Sequence, residues 1–205
     1  MKLYRFAHGI ASRRVDIYLA EKGIDLPCVT VDPATREHKT SAFLAMNPAG
    51  LVPVLAFDDG GFLPEAAAIV EYLEELYPEP PMIGTSPKAR ARVRALDRIA
   101  SIALVQAQAW LMHGHPHFTG RLTQEPAVSA AMKPVVEEAL RVLEAHMGDD
   151  PFLAGPTPTI ADCTLFPLVE TGRVTLNEPI GAAFPRIDRW YARFAARPAA
   201  RRAAA

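Results

Sequence analysis

The run Met46-Asn47-Pro48-Ala49-Gly50-Leu51-Val52-Pro53-Val54-Leu55 and, beyond it, Glu65 at the head of an apolar-periodic segment bring together groups that a small ligand needs. An X-Pro amide has lost most of its preference for trans, so the Val52–Pro53 step before a β-rich run is predicted to be cis. That geometry turns the N–H and C=O of Val52 outward as one donor and one acceptor. An extended peptide docks on such a pair as an added antiparallel strand. Glu65, in the first turn of the following helix, sets a carboxylate beside the N–H groups of the helix start. The combination suits a ligand that carries both an ammonium and a carboxylate.

Other reactive residue types are arranged less pointedly. His113, His115 and His117 alternate, but Gly114 and Pro116 break the segment and no acid or cysteine is close, so the reading is a helix-end loop and no metal site. Cys28 and Cys163 lie far apart in apolar settings without Cys-x-x-Cys spacing, and they read as small buried hydrophobes. Lys88, Arg90, Arg92, Arg94 and Arg98 make one helix start basic, the pattern of a solvated face. Thr159-Ile160-Ala161-Asp162 ahead of an apolar run matches a capping box, with Asp standing for the usual Glu or Gln. It reads as a folding device with no part in catalysis.

The elements that must hold these groups follow from periodicity. Residues 2–6 form a strand, Arg13 to Lys22 a helix stopped by Gly23, and Pro27 to Asp32 a second strand, a β-α-β order that favours a parallel pair. Val52 to Phe57 and Phe62-Leu63 flank Asp58-Asp59-Gly60-Gly61 as a hairpin, and Glu65 to Tyr77 follows as a helix. The prolines at 78, 80 and 81 place a linker at 78–86 between a domain over 1–80 and a helical domain over 87–205. There, Lys88 to about His113 and Pro134 to Met147 are amphipathic helices, and the Ala/Arg tail after Pro198 is expected to fray.

Composition narrows the class. Half of the 205 residues are hydrophobic, enough for a packed core, and 22 basic against 23 acidic side chains give no field that favours nucleic acid or an anionic membrane. The chain opens on a strand with no leader and holds no apolar run near the ~18 residues of a membrane span, so the expected location is the cytoplasm.

The chain resembles the cytosolic glutathione transferases, of a bacterial theta/phi-like type. The resemblance rests on Leu19-Ala20-Glu21-Lys22-Gly23, Asn47-Pro48-x-Gly50-x-Val52-Pro53, Glu65-x-x-Ala68-Ile69-x-x-Tyr72-Leu73, Thr159-x-x-Asp162, and Trp190-Tyr191-Ala192-Arg193 with Arg197-Pro198. It implies an α/β thioredoxin-like N-terminal domain and an all-α helical-bundle C-terminal domain, assembled as a homodimer. It also implies glutathione as co-substrate, held by Leu51 and the Val52 backbone, by Glu65 and Ala66, and by His38 or Lys39 at the glycyl carboxylate. The implied reaction joins glutathione to a small apolar electrophile, with Trp110 and His113 at the acceptor pocket. Where relatives write Glu-Ser, this chain has Glu65-Ala66, and the thiol-activating positions after the first strand hold Gly9 and Ala11. Ser12 is then the expected catalytic hydroxyl, with His8 as the alternative donor. The rival functions are a glutathione-transferase-like scaffold without turnover and a glutathione-dependent reductase.

Overall fold

Four strands make one mixed sheet in the computed structural model, which describes residues 1–202. The order is β2-β1-β3-β4, with β1 Lys2–Arg5, β2 Cys28–Thr30, β3 Val54–Ala56 and β4 Phe62–Pro64. β1 pairs parallel with β2 through the crossover helix α1, Ile10–Lys22, and antiparallel with β3, which pairs antiparallel with β4. Gly23 ends α1 in the left-handed conformation at φ 67°, and its N–H returns to the Ala20 carbonyl. α2, Ser41–Met46, leads into the Asn47 turn, and α3, Ala66–Leu76, follows the hairpin. The parallel pair, the hairpin and the helix after it match the β-α-β then β-β-α order expected from periodicity, which is the thioredoxin-like order that the resemblance implies.

The chain divides into two units, the first holding Met1–Pro81 and the second Met82–Ala195. Of the described residues, 196–202 group with the first unit, whereas the sequence pattern places them in the helical domain over 87–205. The reason is specific: Arg197 makes a two-pronged ion pair with Glu21 at 2.6 and 2.7 Å, and α8, Pro198–Arg202, packs on α1. The tail therefore does not fray as far as Arg202, and the last alanines lie outside the described residues. Cys28 is exposed, also against expectation, whereas Cys163 is buried.

The second unit is helical: α4 Pro87–Gly114, α5 Pro126–Met147, α6 Ile160–Glu170 and α7 Pro185–Ala195. Ser86 caps α4, its hydroxyl accepting from Ala89 N–H at 3.2 Å. α5 starts two turns before the expected Pro134, which lies inside it. Pro126 occupies the first turn, where a missing N–H is tolerated, and Ala127, Ala130 and Ala131 are strong helix formers. None of the described helices is long and apolar enough to cross a membrane.

The capping box at 159–162 does more than start α6. Asp162 has no exposed surface; its carboxylate accepts from Thr159 N–H and hydroxyl at 2.8 Å, from Leu153 N–H at 3.0 Å and from Trp190 Nε1–H at 2.7 Å. Burial raises the Asp162 pKa above its ordinary value, and these donors work against that shift. The box thus ties α6 to α7 and to the 151–155 loop around the rings of Phe152, Phe166, Trp190 and Phe194. Asp162→Ala strands several buried donors at about 1–3 kcal/mol each. The variant is expected to lose at least ~3 kcal/mol in urea unfolding; a loss under ~1 kcal/mol would show that the donors find other partners.

Candidate functional site

The Asn47 side chain is buried and bridges its own turn. Its Nδ2–H donates to the Leu51 carbonyl at 2.8 Å, its Oδ1 accepts from Ala49 N–H at 3.1 Å, and its carbonyl accepts from Gly50 N–H at 2.8 Å. Gly50 has φ +58°, and a Cβ there would lie 2.7 Å from the His38 carbonyl and 2.9 Å from Lys39 Nζ. Only glycine meets both demands. The Lys39 ammonium donates to the carbonyls of Gly50 and Ala49 at 3.0 and 3.3 Å, which fixes its charge at this turn. His38 is half-buried, and its Nδ1 is shielded with no hydrogen-bond partner. Leu51 projects outward with its side chain exposed.

The turn delivers Val52 to the start of β3. The Val52–Pro53 bond is cis, as the sequence predicts. The Val52 side chain packs inward on Val31, Phe43 and Val54. Among the described residues, neither its N–H nor its C=O bonds to another main-chain group. Val54 pairs with Pro64, so the start of β3, two residues after Val52, lies beside the end of β4, one residue before Glu65. Glu65 is exposed and has φ 72° and ψ 113°, unusual for a side-chain-bearing residue and of the kind that gathers at ligand sites. It caps α3 without a side-chain hydrogen bond, which leaves the first-turn N–H groups of that helix for an anion. Ala66 is nearly buried and supplies no donor beyond its N–H.

Ser12, the expected catalytic hydroxyl, lies in the first turn of α1; its hydroxyl accepts from Phe6 N–H at 3.1 Å and the residue is 0% exposed. Gly9 precedes α1 with no side-chain cap, and the first bond of the helix runs from Arg13 N–H to the Gly9 carbonyl. The N–H groups of Ile10, Ala11 and Ser12 thus open α1 without a capping side chain. Arg13 is nearly buried. His8 is exposed, lies edge-on to Phe6, and lines a cavity of about 220 Å³ with Arg5, Asp16, Cys28 and Arg202 at the α1–β2 edge. Asp16 pairs with Arg5 at 3.1 Å, yet burial raises its pKa to about 6 against the opposing pull of Arg5 and Arg13.

In the helical unit, Trp110 lines a cleft of about 390 Å³ between α4, α5 and residues 178–184, and His113 is not among its lining residues. The His113 ring accepts from Glu125 N–H at 3.0 Å through Nδ1. His115 is held at both nitrogens, Nε2 by the Leu176 carbonyl at 2.8 Å and Nδ1 by His117 N–H at 3.2 Å. These histidines fasten the α4–α5 connection.

Sequence reasoning overlooked the bridging role of Asn47, although an Asn ahead of Pro-x-Gly is a recognisable turn signal. It also overlooked Glu178 and Phe184 in the Trp110 cleft, which no local pattern announces.

A family model described as the glutathione S-transferase N-terminal domain matches residues 3–81, and one described as the C-terminal domain matches residues 126–193. The chain is 36% identical over 212 residues to maleylacetoacetate isomerase of Pseudomonas aeruginosa, covering 99% of this chain and 95% of that protein. It is 34% identical over 187 residues to maleylpyruvate isomerase of a Ralstonia species, covering 84% and 82%. A solved structure of a bacterial maleylpyruvate isomerase, described as zeta class, superposes with TM-score 0.80 at 31% identity over 100% of this chain and 96% of that one.

The cavity at Asp16 sets a pH test. In the fold Asp16 holds its proton up to about pH 6, whereas the unfolded chain releases it near 3.8. The folded pKa is the higher one, so ionisation opposes folding and the penalty is removed as pH falls from 6 toward 4. Relative to Asp16→Asn, the wild type should gain about 2 kcal/mol between pH 7 and pH 4 in urea unfolding. Parallel curves for the two proteins would contradict the assignment.

Proposed function

We propose that this chain, which belongs to the glutathione S-transferase family, binds glutathione on the Asn47–Val52 turn and at Glu65 and uses it to isomerise a small acid with a maleyl-type double bond. The observation that carries the substrate class is the 36% identity, over almost the whole of both chains, to a maleylacetoacetate isomerase. The class we assign is zeta, in place of the theta/phi-like expectation, on the strength of the zeta-class structure that the chain resembles. The expected conjugation to apolar electrophiles becomes the second reading, and the cytoplasm the proposed location.

The donor set fits the tripeptide. The Val52 N–H and C=O pair with its cysteinyl main chain, the Glu65 carboxylate takes the γ-glutamyl ammonium, and the first-turn amides of α3 take the carboxylate beside it. Lys39 at the Gly50 turn, with His38 next to it, serves the glycyl carboxylate, and Leu51 flanks the same segment. Bound glutathione supplies a thiolate that adds reversibly to an electron-poor double bond, lets it rotate, and is released unchanged. Gly9 and Ala11 offer no hydroxyl, so we assign stabilisation of the negative sulfur to the uncapped N-terminal amides of α1. Ser12 is then a positioning residue that holds the 6–12 loop so that these amides face the site.

A second copy of the chain is the proposed partner of α4. Ile102, Val105 and Met112 recur at helical spacing on its outer face, 38%, 64% and 38% exposed. A monomer mass at micromolar concentration in sedimentation equilibrium would remove this partner.

The reaction is tested by stoichiometry. With maleylacetoacetate or maleylpyruvate and sub-stoichiometric glutathione, the trans acid should exceed the glutathione many times over with the thiol titre unchanged. Loss of one thiol per product would support conjugation, and absence of glutathione binding in calorimetry would support a scaffold. Ala66→Ser restores a hydroxyl at the start of α3, and one charge-assisted bond of about 1.5 kcal/mol or more should tighten glutathione about tenfold. An unchanged Kd would take the γ-glutamyl carboxylate away from α3.

A further inference from the structure

The Trp110 cleft lies wholly within the helical unit, and its volume of about 390 Å³ is in the range of small-molecule sites. Leu140, Ile180 and Phe184 give it an apolar wall together with the half-buried Trp110. Three charged side chains line it: Lys133, Glu137 and Glu178, one ammonium against two carboxylates. Lys133 Nζ lies 5.3 Å from the Trp110 ring centroid and 4.0 Å from Glu178 Oε1. An ammonium thus already rests on the indole face with a carboxylate behind it.

We propose that the cleft binds an apolar organic cation, whose charged head takes the place over Trp110 that the Lys133 ammonium holds. The exchange is favourable for three reasons. Lys133 is 50% exposed, so its contact with Glu178 is screened and worth little. An ammonium is strongly hydrated, whereas a quaternary cation sheds water readily and attracts the ring face as well. A ligand with an aryl or alkyl body also buries area against Leu140, Ile180 and Phe184, a gain that the tethered lysine cannot make. An anion meets the opposite balance, because the one ammonium is shared with Glu178 and the second carboxylate, Glu137, repels it.

The test titrates the full chain with benzyltrimethylammonium and, in parallel, with naphthalenesulfonate. The chain has two tryptophans, and Trp190 is 0% exposed in the core, so a fluorescence change reports Trp110. Saturable binding of the cation is expected, weakened about threefold or more in Glu178→Gln by fluorescence and lost in Trp110→Leu by isothermal calorimetry, which does not use the indole as reporter. Lys133→Ala should tighten it about threefold or more, because the internal competitor is gone. The charge variants alter side chains that are 50% (Lys133) and 30% (Glu178) exposed, so the proposal stays testable if Trp110→Leu fails to fold. No saturable response to the cation, or preferential binding of the sulfonate that is lost in Lys133→Ala, would overturn it.

Discussion

Everything proposed for the first unit depends on a single amide side chain closing its own turn. Asn47 donates to the Leu51 carbonyl and accepts from Ala49 N–H, and the five residues from Asn47 to Leu51 have almost no freedom left. Gly50 completes the closure, since any side chain there would run into the His38 carbonyl. Lys39 then donates to the carbonyls of the same turn. The consequence falls on Val52, whose side chain is drawn into the Val31, Phe43 and Val54 cluster while its main-chain polar groups stay outside the ladder. A strand end with unsatisfied N–H and C=O is a template for another strand.

The same economy of side chains extends to the anionic parts of the ligand in our account. Ala66 and Gly9 stand at helix starts and carry no side-chain donor, and both helices begin without a side-chain cap. A helix start without a cap still presents its first N–H groups and the positive end of its dipole. In the proposed function the chain would therefore use main-chain amides where a side-chain donor is missing, with Ser12 turned inward to hold the loop by its bond to Phe6 N–H. An amide donor cannot be removed by drift of the side chain, but its position depends on every residue that shapes the loop.

Much of this was legible because the signals are local. The cis step needs only Val52-Pro53, the hairpin only Asp58-Asp59-Gly60-Gly61, and the capping box only four residues. What stayed hidden needs three dimensions. The burial of Ser12 comes from a bond six residues back, and the return of the tail comes from the Arg197–Glu21 pair, 176 residues apart in sequence. Pro134 misplaced the start of α5, because a proline reads as a boundary although the alanine-rich turns before it favour helix. Glu178 and Trp110 approach only through the packing of α4, α5 and the 178–184 segment, so the cleft has no signature in either stretch alone.

The most direct measurement of the central claim is amide exchange at Val52, followed residue by residue in ¹⁵N-labelled protein with and without glutathione. The account requires that saturating glutathione slow exchange of the Val52 N–H about tenfold or more, with Glu65 and the first residues of α3 shifting alongside it. If glutathione binds while the Val52 amide exchanges at its free rate, the tripeptide is held elsewhere and the main-chain clasp is wrong.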